Sequence, residues 1–128
     1  MLGLHSDHRA MIFFDLFTRD PELIQLPNSA TLFKEGDPGE HMYVLVSGTA
    51  DITVRGKLVE QIGHGSIVGE LAVLEPCQRS ATVTATSDCL LAKIDRKRFH
   101  YLVSQTPHFA TEVMRVMAAR LRHCDELL

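Results

Sequence analysis

Between residues 22 and 94 the chain is a succession of short apolar runs, each closed by glycine or another turn-forming residue. "ELIQL", "TLFKEG", "HMYVLVSG", "TADITV", "KLVEQIG", "ATVTAT" and "CLLAKID" follow one another, rich in the residues that favour strands. Runs of this length with turns at this spacing pair as antiparallel strands, in a sandwich or a barrel. "VRGK", residues 54–57, reads as a tight hairpin turn about Gly56.

Helical patterns flank this zone. In residues 7–20, Ala10, Phe13, Phe14 and Phe17 recur at helical spacing, and Pro21 ends the pattern by biasing Asp20 away from helix. A second helix starts at Asp95, a good N-cap, and stops before Pro107, a good first-turn residue for a third helix capped by Thr106. Along that third helix Phe109, Val113, Val116 and Arg120 share one face, while Ala110, Met114, Met117 and Leu121 line the next. So wide an apolar surface exceeds what one-sided packing needs, which leaves a face for a partner helix, as in a homodimer.

At 128 residues the chain is one domain, 1–128: a helical segment 1–21, strands 22–94 and C-terminal helices 95–128. Its net charge of −3 gives no basic footprint for direct nucleic-acid binding. No run approaches the ~20 apolar residues that span a bilayer, and no basic stretch leads into an apolar one near residue 1, so export is not expected. Cys77, Cys89 and Cys124 are odd in number and share no metal-type spacing. Reduced thiols in a cytoplasm are therefore expected.

Residues 65–85, "GSIVGELAVLEPCQRSATVTA", place Glu70 and Arg79 nine positions apart among apolar and small residues. If "RSATVTA" is a strand, Arg79, Ala81, Val83 and Ala85 share its apolar face, so Arg79 points inward. A buried guanidinium needs an anion. Glu70 can supply it as a structural ion pair. Alternatively, "GELAVL" forms a short helical turn whose first amides, with Arg79, suit one phosphate. Gly65 and Gly69 let the backbone approach closely, and a nearby carboxylate suits sugar hydroxyls. Phosphate beside ribose means a nucleotide.

"VGELAVLEPCQRSATVTA" resembles the phosphate-binding cassette of cyclic nucleotide-binding domains, Phe-Gly-Glu-Leu-Ala-Leu followed after a few residues by Pro-Arg-Ser/Thr/Ala-Ala-Thr-Val. The resemblance extends through "LFKEGDPGEHMYVLVSG" and the two C-terminal helices, from about Leu23 onward. It implies a mainly β fold: an antiparallel β-roll, jelly-roll-like, with an N-terminal helix, a short cassette helix and two C-terminal helices. It implies that Glu70 accepts from the ribose 2′-hydroxyl and that Arg79 binds the phosphate, with the amides of Gly69, Leu71 and Ala72 nearby. Ser80 would offer its hydroxyl to the phosphate or to a purine edge, and Val68 and Leu71 would form apolar wall. Arg120 falls where some members place a base-stacking arginine on the lid helix. Val68 stands in place of the family's phenylalanine, and Gln78 in place of the proline before the arginine.

The implied function is a regulatory sensor for cyclic AMP or cyclic GMP, with no metal, no cofactor and no enzymatic activity. Its lid helix would signal to an effector in another chain or beyond this sequence. A ligand-free structural or dimerisation module of the same fold is the alternative. A cupin-like barrel enzyme is the more distant one: His41 invites it, but Tyr43 stands where a second histidine belongs. "HSDH" at residues 5–8 lacks a distant partner cluster for a metal, and His64 reads as a turn residue. Cys77, near Arg79, is either a perturbed thiolate or a plain free thiol.

Overall fold

A computed structural model of the chain describes Phe17, Asp20 and residues 22–127, with side chains through residue 122. The helix expected over residues 7–20, apart from Phe17, and the "HSDH" stretch lie outside the described residues, as does the Cys124 side chain. Ten strands follow: β1 Ile24–Leu26, β2 Thr31–Phe33, β3 Pro38–Gly39, β4 Met42–Ser47, β5 Ala50–Val54, β6 Lys57–Ile62, β7 Ile67–Val68, β8 Cys77–Gln78, β9 Thr82–Ala85 and β10 Cys89–Ile94. Helix α1, Glu70–Leu74, sits between β7 and β8; α2, Arg96–Gln105, and α3, Pro107–Leu127, close the chain. All seven expected strands form. No helix among the described residues is long and apolar enough to cross a membrane.

The strands make two four-stranded antiparallel sheets, ordered β1-β10-β4-β7 and β2-β9-β5-β6, plus the two-stranded ladder β3-β8. This is a β-roll of two facing sheets, not a closed barrel. The first sheet is a middle layer. Along β4, Met42, Val44 and Val46 enter a cluster with Phe99, Leu102, Phe109 and Val113 of the helices, while Leu45 faces Ile52, Val83 and Leu91 between the sheets. The neighbouring strand β10 divides likewise, with Ala92 and Ile94 toward the helices and Cys89 and Leu91 toward the second sheet. Burial on both faces explains why "MYVLV" is apolar nearly throughout, although its strand is antiparallel.

Local chemistry sets the element ends. Arg55 and Gly56 both have positive φ, 52° and 78°, and Val54 pairs with Lys57, a two-residue loop of the twist that hairpins favour. The Asp95 carboxylate accepts from the Arg98 amide at 2.7 Å and starts α2. Pro107 opens α3, whose Phe109 and Val113 are fully buried while Met114 and Leu121 stay exposed.

Asp20 docks the chain before β1 onto α2. Its Oδ2 lies 2.8 Å from Arg98 Nη2, and its Oδ1 accepts from the Glu22 amide at 2.9 Å. Burial pushes the Asp20 carboxyl pKa up, but the Glu22 amide and the Arg98 guanidinium outweigh it and hold the group below its ordinary 3.8. A depressed folded-state pKa contributes stability that is present above 3.8 and lost as pH falls through the folded value. Asp20→Asn is therefore less stable than the parent at pH 7, and the gap closes below about pH 3.8. Urea unfolding of both proteins from pH 7 to pH 3 measures it.

Candidate functional site

Between β7 and α1 stands Gly69, the N-cap of α1, which adopts φ 75° and ψ 19°, a left-handed conformation that costs glycine little. Beyond α1 the chain runs antiparallel to residues 38–39, with Gly39 opposite Cys77 and Pro38 opposite Gln78. Arg79 is then held by its backbone: its N–H donates to Asp37 O at 2.7 Å, and its C=O accepts from Gly36 N–H at 2.8 Å. These bonds to the 36–37 turn delay the strand expected from Arg79, so β9 begins only at Thr82. The alternation survives the delay, with Arg79, Val83 and Ala85 all buried.

The Arg79 side chain is 7% exposed. Its guanidinium carbon lies 4.1 Å from the Phe33 ring centroid and 5.9 Å from that of Tyr43. It is laid against two glycines. A Cβ on Gly39 would collide with Arg79 Nε, and one on Gly69 with Arg79 Nη1. Among the described residues no carboxylate pairs with it, and Nε and Nη1 are buried without a hydrogen-bond partner. Stacking of a desolvated guanidinium on one ring returns ~2 kcal/mol. Desolvating the charge costs several kcal/mol. The remaining deficit is what an anion would relieve.

Glu70 is not that anion. The carboxylate, 6% exposed, accepts from Arg120 Nη1 at 2.7 Å, while Arg120 Nε donates to Glu60 Oε1 at 3.1 Å. Burial alone would lower the Arg120 pKa, but the charges of Glu70 and Glu60 outweigh it and hold the guanidinium above its ordinary value. Of the two alternatives, the structural pair Arg79–Glu70 does not form; Glu70 pairs with Arg120 instead, which joins α3 to the start of α1. Arg120, at the position where the resemblance implies a base-stacking arginine, lies in a fork of two carboxylates.

Val68, Gly69, Glu70, Leu71, Ala72, Arg79, Ser80 and Arg120 line one pocket, together with Phe33, Ile52, Cys77, Gln78, Ala81 and Val83. The cavity itself is small, about 80 Å³, and its mouth is open to solvent. Leu71 and Ser80 are exposed at its rim, and Val68 and Ala72 are buried. The Ala72 amide is already used, donating to Gly69 O at 3.2 Å. His41 lines one groove with Glu22, Lys93 and Asp95 and another that reaches Cys77 and Arg79, and no three His, Cys, Asp or Glu side chains among the described residues gather as metal ligands. Sequence reasoning missed Phe33 and Glu60. Phe33 lies 46 positions before Arg79 and reads as an ordinary strand residue, and Glu60 carries no local signal.

A double-mutant cycle on Glu70→Gln and Arg120→Ala, read by urea unfolding, returns a coupling of about 1–2 kcal/mol, since Glu70 is desolvated. The same cycle with Glu60→Gln returns less than about 1 kcal/mol, because Glu60 is far more exposed.

Residues 23–106 match the sequence profile described as "Cyclic nucleotide-binding domain". The chain is 35% identical over 83 residues, 65% of its length and 8% of the relative's, to a cGMP-dependent protein kinase of Drosophila melanogaster. It is 27% identical over 116 residues, 87% of its length and 52% of the relative's, to a cAMP-activated global transcriptional regulator of Mycobacterium tuberculosis. The chain thus spans about half, or far less, of these curated relatives. Among solved structures, the catabolite activator protein of Thermus thermophilus superposes with a TM-score of 0.73 at 25% identity, over 92% of this chain and 56% of that one. A profile match across most of the chain, on a β-roll whose pocket is lined by the cassette residues, shows that the protein belongs to the cyclic nucleotide-binding domain family.

Proposed function

We propose that this domain is a sensor whose pocket takes cyclic AMP or cyclic GMP, with Arg79 as the phosphate ligand. The observation that carries the reading is the Arg79 guanidinium, buried with two N–H groups unpartnered while the carboxylate lining the same pocket, Glu70, is engaged by Arg120. A cyclic phosphodiester brings one negative charge and no further ionisable group, which matches a single unpaired cation. The first-turn amides at Gly69 and Leu71 flank the phosphate. Glu70, with Arg120 on Oε1, retains acceptor capacity for the ribose 2′-hydroxyl. Ser80 at the rim offers its hydroxyl to the phosphate or the base. The buried Val68 and Val83, the half-buried Phe33 and the exposed Leu71 supply apolar wall for the ring systems.

Transmission follows from the same contacts. A ribose hydroxyl on Glu70 touches the carboxylate that Arg120 grips from α3, so ligand and lid helix meet on one group. Arg120 either keeps that grip or turns onto the base, where a planar guanidinium stacks. The reading makes the domain regulatory rather than catalytic: the pocket holds one unpaired cation, a carboxylate tied to Arg120 and apolar wall, a set suited to retaining a ligand. Its effector is a further chain or domain, reached through α3, whose exposed Met114 and Leu121 also offer a face for self-association. Second-messenger nucleotides place the domain in the cytoplasm.

Isothermal titration with cyclic AMP and cyclic GMP tests the proposal. Arg79→Ala weakens binding by about 1.5–3 kcal/mol, the worth of a hydrogen bond to a charged group, and equal affinity in variant and parent overturns the phosphate assignment. The 2′-deoxy ligand binds the parent less tightly than the ribose form. That penalty vanishes in Glu70→Ala if the carboxylate reads the hydroxyl, and its survival there removes Glu70 from the ribose role.

A further inference from the structure

Cys77 is exposed in β8, two residues before Arg79. It lines the pocket itself and also the groove on the outer side of the β3–β8 ladder, and Arg79 lines both. The thiol is thus accessible from solvent, on the rim of a cavity whose buried guanidinium has two unpartnered N–H groups. Cys89 is the contrast: it is buried, its Sγ donates to Thr49 O and Ser87 O at 3.2 and 3.3 Å, and burial pushes its thiol pKa up. Of these two thiols, one combines solvent access with a neighbouring uncompensated cation.

We infer that Cys77 is a thiolation site through which a small anionic disulfide closes this pocket. An anionic reagent is drawn by Arg79 and positioned beside the sulfur. The Cys77 thiol loses its proton to solvent, and the thiolate attacks one sulfur of the reagent. The reagent's S–S bond breaks as the new one forms, and the departing thiolate takes up a proton. Cys77 is oxidised, the released half is reduced, and the reagent itself supplies the oxidising equivalents. The adduct then occupies the mouth of the pocket that Cys77 and Arg79 both line, where the nucleotide reading places the phosphate, so adduct and nucleotide exclude each other. That exclusion rests on the nucleotide reading; the reactivity of Cys77 does not.

The test uses the full chain carrying Cys124→Ser, treated with glutathione disulfide at neutral pH and followed by peptide mass spectrometry. The adduct appears on Cys77 and not on Cys89, it lowers cyclic AMP affinity at least tenfold, and dithiothreitol restores the affinity. In Cys77→Ser the treatment changes nothing relative to the untreated variant. Reaction rates are compared for glutathione disulfide, the neutral 2-hydroxyethyl disulfide and the cationic cystamine. The anionic reagent reacts fastest in the parent, and its advantage is lost in Arg79→Gln. No adduct at Cys77, a rate order indifferent to reagent charge, or an adduct that leaves affinity intact overturns the inference. If the untreated protein binds neither cyclic nucleotide, the nucleotide reading falls, while the site of the adduct and the charge order still decide the fate of Cys77.

Discussion

The separation of two charges within the cassette governs the site. Arg79 and Glu70 lie close along the chain and line one pocket, yet the carboxylate is claimed by Arg120 and the guanidinium is left stacked on Phe33. A mutual pair would have filled the pocket floor with a neutral unit that no ligand could displace cheaply. Giving Glu70 a cation from α3 keeps both buried groups charged and leaves one net positive site facing the cavity. The two glycines make this possible, because Gly39 and Gly69 are the surfaces on which the guanidinium lies, and any side chain there would push it away.

The layers beneath hold that arrangement rigid. The first sheet carries β7 and hence Gly69, and it is packed on both faces, by the helices on one side and the second sheet on the other. Displacing it would open two cores at once. Arg79 is set by different means. It sits between β8 and β9 and is fixed through backbone bonds to residues 36 and 37. The two sides of the pocket are thus anchored independently, one to the middle layer and one to the 36–37 turn.

Much of this was legible in the residues, and the parts that were not share a physical reason. The Arg55–Gly56 turn, the Asp95 cap and the Pro107 start are set by neighbours within a few positions, so the sequence displays them. The ladder of β3 with β8 and the short β7 are two residues long, too short for any periodicity to register. β4 hides its alternation because both of its faces are buried. The cassette spacing pointed to the residues lining the pocket, but not to the partner of each charge. Glu60 and Arg120 are 60 positions apart, and nothing local in "KLVEQI" marks one carboxylate as a partner for a helix that follows four further strands and two helices.

The fork on Arg120 also determines what a change at the site can convey to the rest of the molecule. Of its two carboxylates, Glu70 is buried at the start of α1 and Glu60 is more exposed on β6. Any donor that approaches Glu70 shares it with Arg120 and weakens that bond, while Glu60 is untouched and retains the helix. If Arg120 turns onto the base, both anchors are given up; as long as it keeps its grip, the response of α3 is a shift of weight between the two. Its amplitude is bounded by the reach of one arginine side chain, which links the chemistry at one carboxylate to the exposed face of the helix beyond.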